Sequence, residues 1–234
     1  MRSVSVRSRR CGAVGRASSV VPVKRPRSER LLEEALQALA AALTATGASW
    51  MIIGGIAVIA RGVRRFTTDI DAAVRGDAIT IARLLPTLAE WDIVPRIANA
   101  AAFARANLVL LLRHQPTRVD LDVSMAWSAF EHDALDACTE AAFGRARAPM
   151  ATPADLVVFK AIAGRARDLE DAETLLVLYP DLDLARVRAR IVELAALAEA
   201  PELVTAFDAM ARRAGGVAVA RKRRPRTPKR RGPR

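Results

Sequence analysis

Two pairs of aspartates, each spaced by two residues, are the features of this sequence best suited to chemistry. They are Asp69 with Asp71, and Asp120 with Asp122. On a β-strand, residues i and i+2 project from the same face, so each pair would present two carboxylates side by side. Carboxylates held so close repel each other unless a cation lies between them, and hard divalent ions such as Mg²⁺ or Mn²⁺ prefer oxygen ligands. An isolated pair also fits a solvated strand face, but two such pairs on predicted strands favour a metal site.

A third carboxylate beside Asp69 and Asp71 would complete a site for two metals, and the second pair offers two candidates for it. In such a site one metal holds a triphosphate and the other lowers the pKa of an attacking hydroxyl. Upstream, Gly54 and Gly55 join a predicted buried strand to a short helix. Glycines there would let a phosphate approach backbone N–H groups at a helix N-terminus, although a Gly-Gly pair is often only a turn.

The elements that must position these residues fall into two parts. A capped helix is predicted to begin at Ser28 and to end at Gly47, followed by a buried strand, a short helix, and a strand with the sequence DIDAAVR. A helix over 77–90 comes next, and then NLVLLLRH and RVDLDVS, whose tight connection predicts an antiparallel pair. From about Ala154 to Gly215 the pattern is helical throughout. The sequence therefore predicts an α+β part followed by a helical part.

The charge of the chain is concentrated at its ends. The 234 residues carry 37 Lys and Arg against 25 Asp and Glu, a net charge of +12. Seventeen of the bases lie in residues 1–27 and 221–234, which contain no acid, so residues 28–220 have 20 bases against 25 acids, a net of −5. We therefore predict four regions, which are listed here in chain order: a basic disordered arm (1–27), an α+β core (28–150), a helical region (151–215) and a basic disordered tail (216–234).

Composition excludes several classes of protein. Hydrophobic residues make up 52% of the chain and charged residues 26%, which argues against a chain disordered throughout. The uncharged stretch over 35–60 contains Gly, Thr, Ser and Gln, so a helix, a glycine break and a buried strand explain it better than a membrane span. We expect a cytoplasmic protein with no membrane partner.

The order of these motifs resembles a known superfamily. Gly54-Gly55, then Arg-x-Thr-x-Asp-Ile-Asp ending at Asp71, then a later strand with an aspartate between apolar residues, is the pattern of nucleotidyltransferases with a DNA-polymerase-β-like fold. The segment ATPADLVVFKAIAGRARDLEDAETLL is similar to the Leu-x-x-x-Lys-x-x-Ala-Gly-Arg-x-x-Asp-Leu-x-Asp stretch of AbiEii-type toxins of type IV toxin–antitoxin systems. The resemblance covers roughly residues 30–180. It implies a small mixed sheet flanked by helices, followed by a helical C-terminal part.

The resemblance also implies a role for each matching residue. Asp69 and Asp71 match the metal-binding pair, and Asp120 matches the third carboxylate because it follows Arg118 and Val119 in the family's register. Asp122 stands where the family often has an apolar residue, which keeps it as the alternative. By itself Lys160 reads as a helix-surface lysine; the resemblance makes it the catalytic lysine that neutralises nucleotide phosphate. The residues implied to contact the nucleotide are Gly54, Gly55, Arg65, Thr67, Lys160, Arg165, Asp168 and Asp171.

These assignments predict a metal-dependent nucleotidyltransferase that uses an NTP. The resemblance makes RNA, such as a tRNA 3′ end, the expected acceptor, with toxicity as the outcome and a cognate antitoxin as a further partner. Two alternatives stay open. One is transfer to a small hydroxylated molecule such as an aminoglycoside, which a core of net charge −5 would suit. The other is a non-catalytic relative that binds nucleotide, RNA or a partner protein.

Overall fold

One mixed sheet organises the computed structural model, which describes residues 26–76 and 78–223. Its seven strands within those residues are β1 (Trp50–Ile53), β2 (Asp69–Arg75), β3 (Ile93–Pro95), β4 (Val109–His114), β5 (Asp120–Ala126), β6 (Thr139–Phe143) and β7 (Ala146–Met150). They lie in the order β3-β4-β5-β2-β1-β7-β6. The β2–β5 and β1–β7 pairs are parallel and the other pairs are antiparallel.

Helices flank the sheet and form the C-terminal part. They are α1 (Arg27–Ala45), α2 (Gly54–Ala60), α3 (Ala78–Ala89), α4 (Ala100–Asn107), α5 (Ala129–Ala137), α6 (Pro153–Ala163), α7 (Ala166–Leu178), α8 (Leu184–Leu197) and α9 (Glu202–Arg223). None of the helices in these described ranges is both long and apolar enough to cross a membrane.

The core lies between the central strands and α1. Leu32, Leu36, Leu39 and Leu43 recur at helical spacing along α1 and are buried, because this face of the helix packs on the sheet and on α3. On β2, Ile70 is fully buried between the two more accessible aspartates. The alternation required for a half-buried strand therefore directs both aspartates away from this core.

Local signals determine where α6 and α7 begin and end. The hydroxyl of Thr152 accepts a hydrogen bond from the backbone N–H of Asp155, and Pro153 occupies the first turn of α6, where a proline costs no hydrogen bond. Gly164 ends α6 with a φ of 66°, a left-handed conformation that glycine adopts without strain. The chain then turns into α7, which packs against α6 and α9.

The structure confirms the predicted fold class, an α+β part with one mixed sheet followed by a helical part. Sequence patterns did not reveal β3, α4, α5 or the β6–β7 hairpin. The antiparallel pairing of β4 with β5 agrees with the prediction from their tight connection.

The predicted limits of the two tails need correction where the structure describes them. Arg27, assigned to the arm, begins α1, and α9 continues to Arg223, beyond the boundary at residue 215. The segment GVAVA at 216–220 contains no proline, and the first proline after it is Pro225. The rest of the arm and tail, residues 1–25 and 224–234, lies outside the described residues.

Candidate active site

The two aspartate pairs lie on neighbouring parallel strands in matched register. Asp69 of β2 is opposite Asp120 of β5, and Asp71 is opposite Asp122. The residue between each pair is fully buried, so the four carboxylates share the opposite, more accessible face of the sheet. This arrangement brings together side chains about fifty positions apart in the chain.

A cavity of about 370 Å³ opens beside these strands, and most of the predicted site residues line it. Its walls come from β2, β5, the start of α2, the loop before β2, and helices α6 and α7. The lining residues are Gly55, Arg65, Phe66, Thr67, Thr68, Asp69, Asp71, Asp122, Lys160, Arg165, Arg167 and Asp168. Acidic groups therefore meet a set of cations contributed by α6, α7 and the loop.

Asp71 occupies the space that a side chain at position 54 would need. Gly54 has a φ of 60°, and a Cβ built there would lie 1.9 Å from Oδ2 of Asp71. The backbone N–H of Gly55 donates a hydrogen bond to the Asp71 carboxylate. A Cβ on Gly55 would in turn lie 2.5 Å from Oγ1 of Thr67. In this structure the glycine pair thus makes room for site side chains; the predicted contact with a triphosphate stays a prediction.

Burial and like charge act together on Asp71. Burial raises the pKa of this carboxyl, and repulsion from Asp69 and Asp122 raises it further, while Lys160 and the Gly55 N–H oppose the change. Burial likewise raises the pKa of Asp122. Groups that repel in this way are stabilised by an added cation, so the site favours binding a positive ion.

Asp69 is the more exposed member of its pair and is oriented by a threonine. The buried hydroxyl of Thr67 donates a hydrogen bond to Oδ1 of Asp69 over 2.7 Å. This contact links the lead-in loop to the first carboxylate.

The two carboxylates of β5 differ in their surroundings. Asp120 accepts from Nε of Arg113 at 2.6 Å and pairs with Nη1 of Arg96 at 3.0 Å, and these contacts hold its pKa below the usual range. Asp122 pairs with Nη2 of the same Arg96 at 2.6 Å. Of the two, only Asp122 lines the cavity. Arg96 was not identified from the sequence because it follows an unrecognised strand, and Arg113 was not singled out although its strand was predicted.

Lys160 is buried rather than on a helix surface. Its Nζ lies 2.7 Å from Oδ1 of Asp168 and 3.4 Å from Oδ2 of Asp171. Asp168 also pairs with Arg165 and Asp171 with Arg65. Although burial opposes it, hydrogen bonds from Arg165 and Lys160 lower the pKa of Asp168. Lys160 is thus held at the cavity wall between two carboxylates of α7.

Two further residues at the cavity were missed by sequence reasoning. The ring of Phe66 is 58% exposed although phenylalanine usually lies inside, and its carbonyl oxygen accepts hydrogen bonds from Arg167 and, at 3.4 Å, from Nε of Arg65. Arg167 lines the cavity itself. No pattern in a single sequence distinguishes such residues from ordinary surface ones.

The carboxylates of β2 fit a magnesium ion whose remaining ligands are supplied by the substrate and water. Within the described ranges, no three His, Cys, Asp or Glu side chains form a complete metal-binding group. Mg²⁺ in nucleotide sites is commonly held by one or two carboxylates together with phosphate oxygens and water, without an all-protein cage. Asp69 and Asp71, on one face and next to phosphate-compatible cations, meet that requirement.

Comparisons with known proteins concern the family and the fold of the chain. Residues 30–211 match a family described as "Nucleotidyltransferase of unknown function (DUF6036)". No curated protein matches the chain. The solution structure of the antibiotic-resistance factor ANT(2'')-Ia is 17% identical, with a TM-score of 0.51 over 74% of this chain and 94% of that chain. An antigenic nucleotidyltransferase-like protein from Paracoccidioides brasiliensis is also 17% identical, with a TM-score of 0.48 over 79% and 95%. The first likeness shows a shared fold.

Proposed function

Since the chain belongs to the family of nucleotidyltransferases of unknown function (DUF6036), we propose that it moves a nucleotide from an NTP to a hydroxyl acceptor with Mg²⁺ or Mn²⁺. The observation that carries the proposal is the meeting of Asp69, Asp71 and Asp122 with Lys160 around one cavity. Carboxylates on one wall and cations on the other suit a metal-bound triphosphate between them.

In this proposal Asp69 and Asp71 hold the metal. A bound divalent ion neutralises phosphate charge and lowers the pKa of a nearby hydroxyl. Thr67 orients Asp69 through its hydroxyl, and the Gly55 N–H holds Asp71, so both carboxylates are positioned before substrate arrives. Such positioning matters because phosphoryl transfer depends mainly on alignment and charge neutralisation.

Lys160 and Arg165 receive the phosphates. Lys160 is fixed between Asp168 and Asp171, whereas the side chain of Arg165 is 78% exposed and is accessible to a ligand. The acceptor oxygen attacks the α-phosphorus in line, the bond to the β-phosphate oxygen breaks, and pyrophosphate leaves. The positive charges balance the negative charge on the departing pyrophosphate.

We assign the third carboxylate to Asp122, although the family register favours Asp120. Asp122 lines the cavity with Asp69 and Asp71, whereas Asp120 lies outside it and is bound by two arginines. Asp122 would accept the proton of the attacking hydroxyl. Asp120 would then hold Arg96 and Arg113 in place.

RNA is the first acceptor to test. The resemblance to AbiEii-type toxins suggests a tRNA 3′ end, a toxic outcome, a cognate antitoxin and action in the cytoplasm. The exposed Arg165 and Arg167 at the cavity would meet a polyanionic acceptor, and the 17 bases of residues 1–27 and 221–234 would add salt-dependent affinity.

A small cationic acceptor is the second candidate. Residues 28–220 carry a net charge of −5, which would attract an aminoglycoside rather than RNA. The antibiotic-resistance factor ANT(2'')-Ia shares the fold, which supports including antibiotics among the acceptors.

The test uses the purified chain with each labelled NTP and Mg²⁺, offered total RNA in one series and a panel of aminoglycosides in another. Label in RNA supports the toxin-like function, and label in an aminoglycoside supports the second candidate. No label in either series, with NTP binding retained, would point to the non-catalytic relative.

Three variants give the test its controls. Asp69→Asn should abolish transfer, since it removes a metal ligand. Asp122→Asn should lower the transfer rate by about 100-fold or more, the usual contribution of a catalytic base, whereas Asp120→Asn should keep it within about tenfold of the parent. The opposite order of the last two would return the third-carboxylate role to Asp120.

A further inference from the structure

The exposed ring of Phe66 stands between two cavities. On one side is the site cavity described above. On the other is a second cavity of about 310 Å³, and both are lined by Arg65, Phe66 and Thr67. The second cavity therefore begins where the site cavity ends, with the phenyl ring at the boundary.

The walls of the second cavity differ in chemistry from those of the first. Five apolar residues line it, which are Leu32, Ile59, Ala60, Ala142 and Phe143, and Glu29 is the one carboxylate in its lining, opposite in charge to the shared Arg65. No residue in the described part of the chain is found in a hydrogen bond or ion pair with Glu29. A flat, largely apolar group with polar edges would suit such walls, whereas a triphosphate would not.

Two arginines hold the backbone that carries the ring. Arg65 and Arg167 both donate to the carbonyl oxygen of Phe66, and Arg65 is itself fixed by Asp171. Phe66 is 58% exposed, and its backbone is held by hydrogen bonds from two arginines. The ring is therefore accessible to a ligand, and binding would restrict little additional motion of the chain.

We propose that the second cavity binds the base of the NTP, with the base stacked on Phe66 and an exocyclic amino group directed to Glu29. This inference rests on the proposed function and adds where the nucleoside lies. The triphosphate occupies the site cavity, the base lies in the second cavity, and the sugar lies at the boundary between them. An ionised carboxylate only accepts hydrogen bonds, and adenine, cytosine and guanine carry an exocyclic amino group that uracil lacks, so ATP, CTP and GTP are preferred over UTP, whose base can donate only from its ring N3–H.

The experiment compares nucleotides with inorganic tripolyphosphate, which has the phosphates but no base. Dissociation constants are measured by titration calorimetry in Mg²⁺ for the four NTPs and for tripolyphosphate. Aromatic stacking on a base contributes enough that Phe66→Ala should weaken NTP binding by about tenfold or more. Tripolyphosphate should bind as it does to the parent, which also shows that the variant is folded.

Matched variants exclude a general effect. Phe66→Tyr keeps a stacking face and should bind NTPs as the parent does. Trp127→Ala removes an aromatic ring of similar exposure, 61%, just beyond the far end of β5, and should change nothing. Glu29→Gln should reduce the preference for amino-bearing bases over UTP.

Three results would overturn the inference. They are an unchanged NTP affinity in Phe66→Ala, an equal loss for NTPs and tripolyphosphate, and a parent protein that binds tripolyphosphate as tightly as every NTP. A parent that binds neither NTP nor tripolyphosphate would instead remove the proposed function. The two failures are therefore distinguishable.

Discussion

At the scale of single residues, the absence of a side chain at position 54 determines where Asp71 can lie. Two features act at this position: a left-handed backbone, and a carboxylate oxygen where a Cβ would be. Gly47 also has a left-handed backbone, with a φ of 71°, but nothing lies within 4 Å of a Cβ built there. Alanine variants at the two positions therefore separate the effect of backbone strain from the effect of moving a site carboxylate.

We predict that Gly47→Ala loses about 1–2 kcal/mol of unfolding free energy, the usual cost of a left-handed alanine, and that Gly54→Ala loses at least as much because its Cβ must also displace Asp71. Only Gly54→Ala should also lose nucleotidyl transfer, by about 100-fold or more, because it moves Asp71. Urea unfolding and the transfer rate measure the two effects. Equal activity in both variants would show that Asp71 need not lie where it does.

His114 gives a prediction about pH. It is buried, its Nδ1 lies 2.8 Å from Oγ1 of Thr117, and burial lowers its pKa. Below the ordinary histidine value of about 6.5, the unfolded chain binds this proton more readily than the folded one, so falling pH favours unfolding. The stability of the parent relative to His114→Gln should therefore decrease as the pH is lowered from 7.5 to 5.

Unfolding by urea at several pH values tests this, because the carboxylates titrate in both proteins and cancel in the difference. A difference independent of pH would mean that His114 titrates alike in the folded and unfolded chains.

At the scale of elements, the contact of α7 with α6 buries the charges of the site. Lys160 comes from α6 and its two carboxylate partners from α7. Neither helix alone would bury these groups, so the ion pairs depend on how the two helices pack.

Lys160→Ala should consequently destabilise the fold as well as the site. Removing one partner of a buried ion pair costs about 3–5 kcal/mol, and we expect the lower end because Arg165 and Arg65 still pair with the two aspartates. Thermal or urea unfolding measures this loss. A loss below about 1 kcal/mol would mean that the remaining arginines suffice.

The predictability of the elements follows from where their signals lie. Apolar spacing along α1 and alternation along β2 are local, and both elements lie within about two residues of their predicted positions. The β6–β7 hairpin reads TEAAF and ARAPM, with few β-branched or large apolar residues, so it had no local signal. The β3 strand, of three residues, was too short for any pattern.

The same distinction applies to the site. The aspartate pairs could be found because two residues of spacing place both on one strand face. The register that pairs Asp71 with Asp122, and the ion pair of Arg96 with Asp120, depend on segments distant in the chain. The burial of Lys160 depends on how α6 and α7 pack, which cannot be read from the spacing of residues in a single sequence.

At the scale of the whole molecule, the basic residues that follow α9 in the sequence can be tested by deletion. Residues 224–234 carry six bases, which are Arg224, Arg226, Lys229, Arg230, Arg231 and Arg234. Deleting them should weaken RNA binding and reduce the slope of log affinity against log salt by up to about 4, since each phosphate contact on a single strand contributes about 0.7.

Fluorescence anisotropy with labelled RNA, at three salt concentrations, measures that slope. Thermal unfolding of the shortened chain is the control and should match the parent. An unchanged slope would show that the tail makes no contact with RNA.

The two edges of the sheet have a practical consequence for handling this protein. The β3 edge is three residues long and ends in Pro95, which has no backbone N–H to offer a neighbour. The other edge, β6, exposes Glu140, which pairs with Arg147 of β7. Short, charged or proline-blocked edges discourage strand addition between chains, a common start of aggregation. At the high protein concentrations used for calorimetry and crystallisation, solubility should therefore depend on surface charge and salt concentration, rather than on growth of the sheet between molecules.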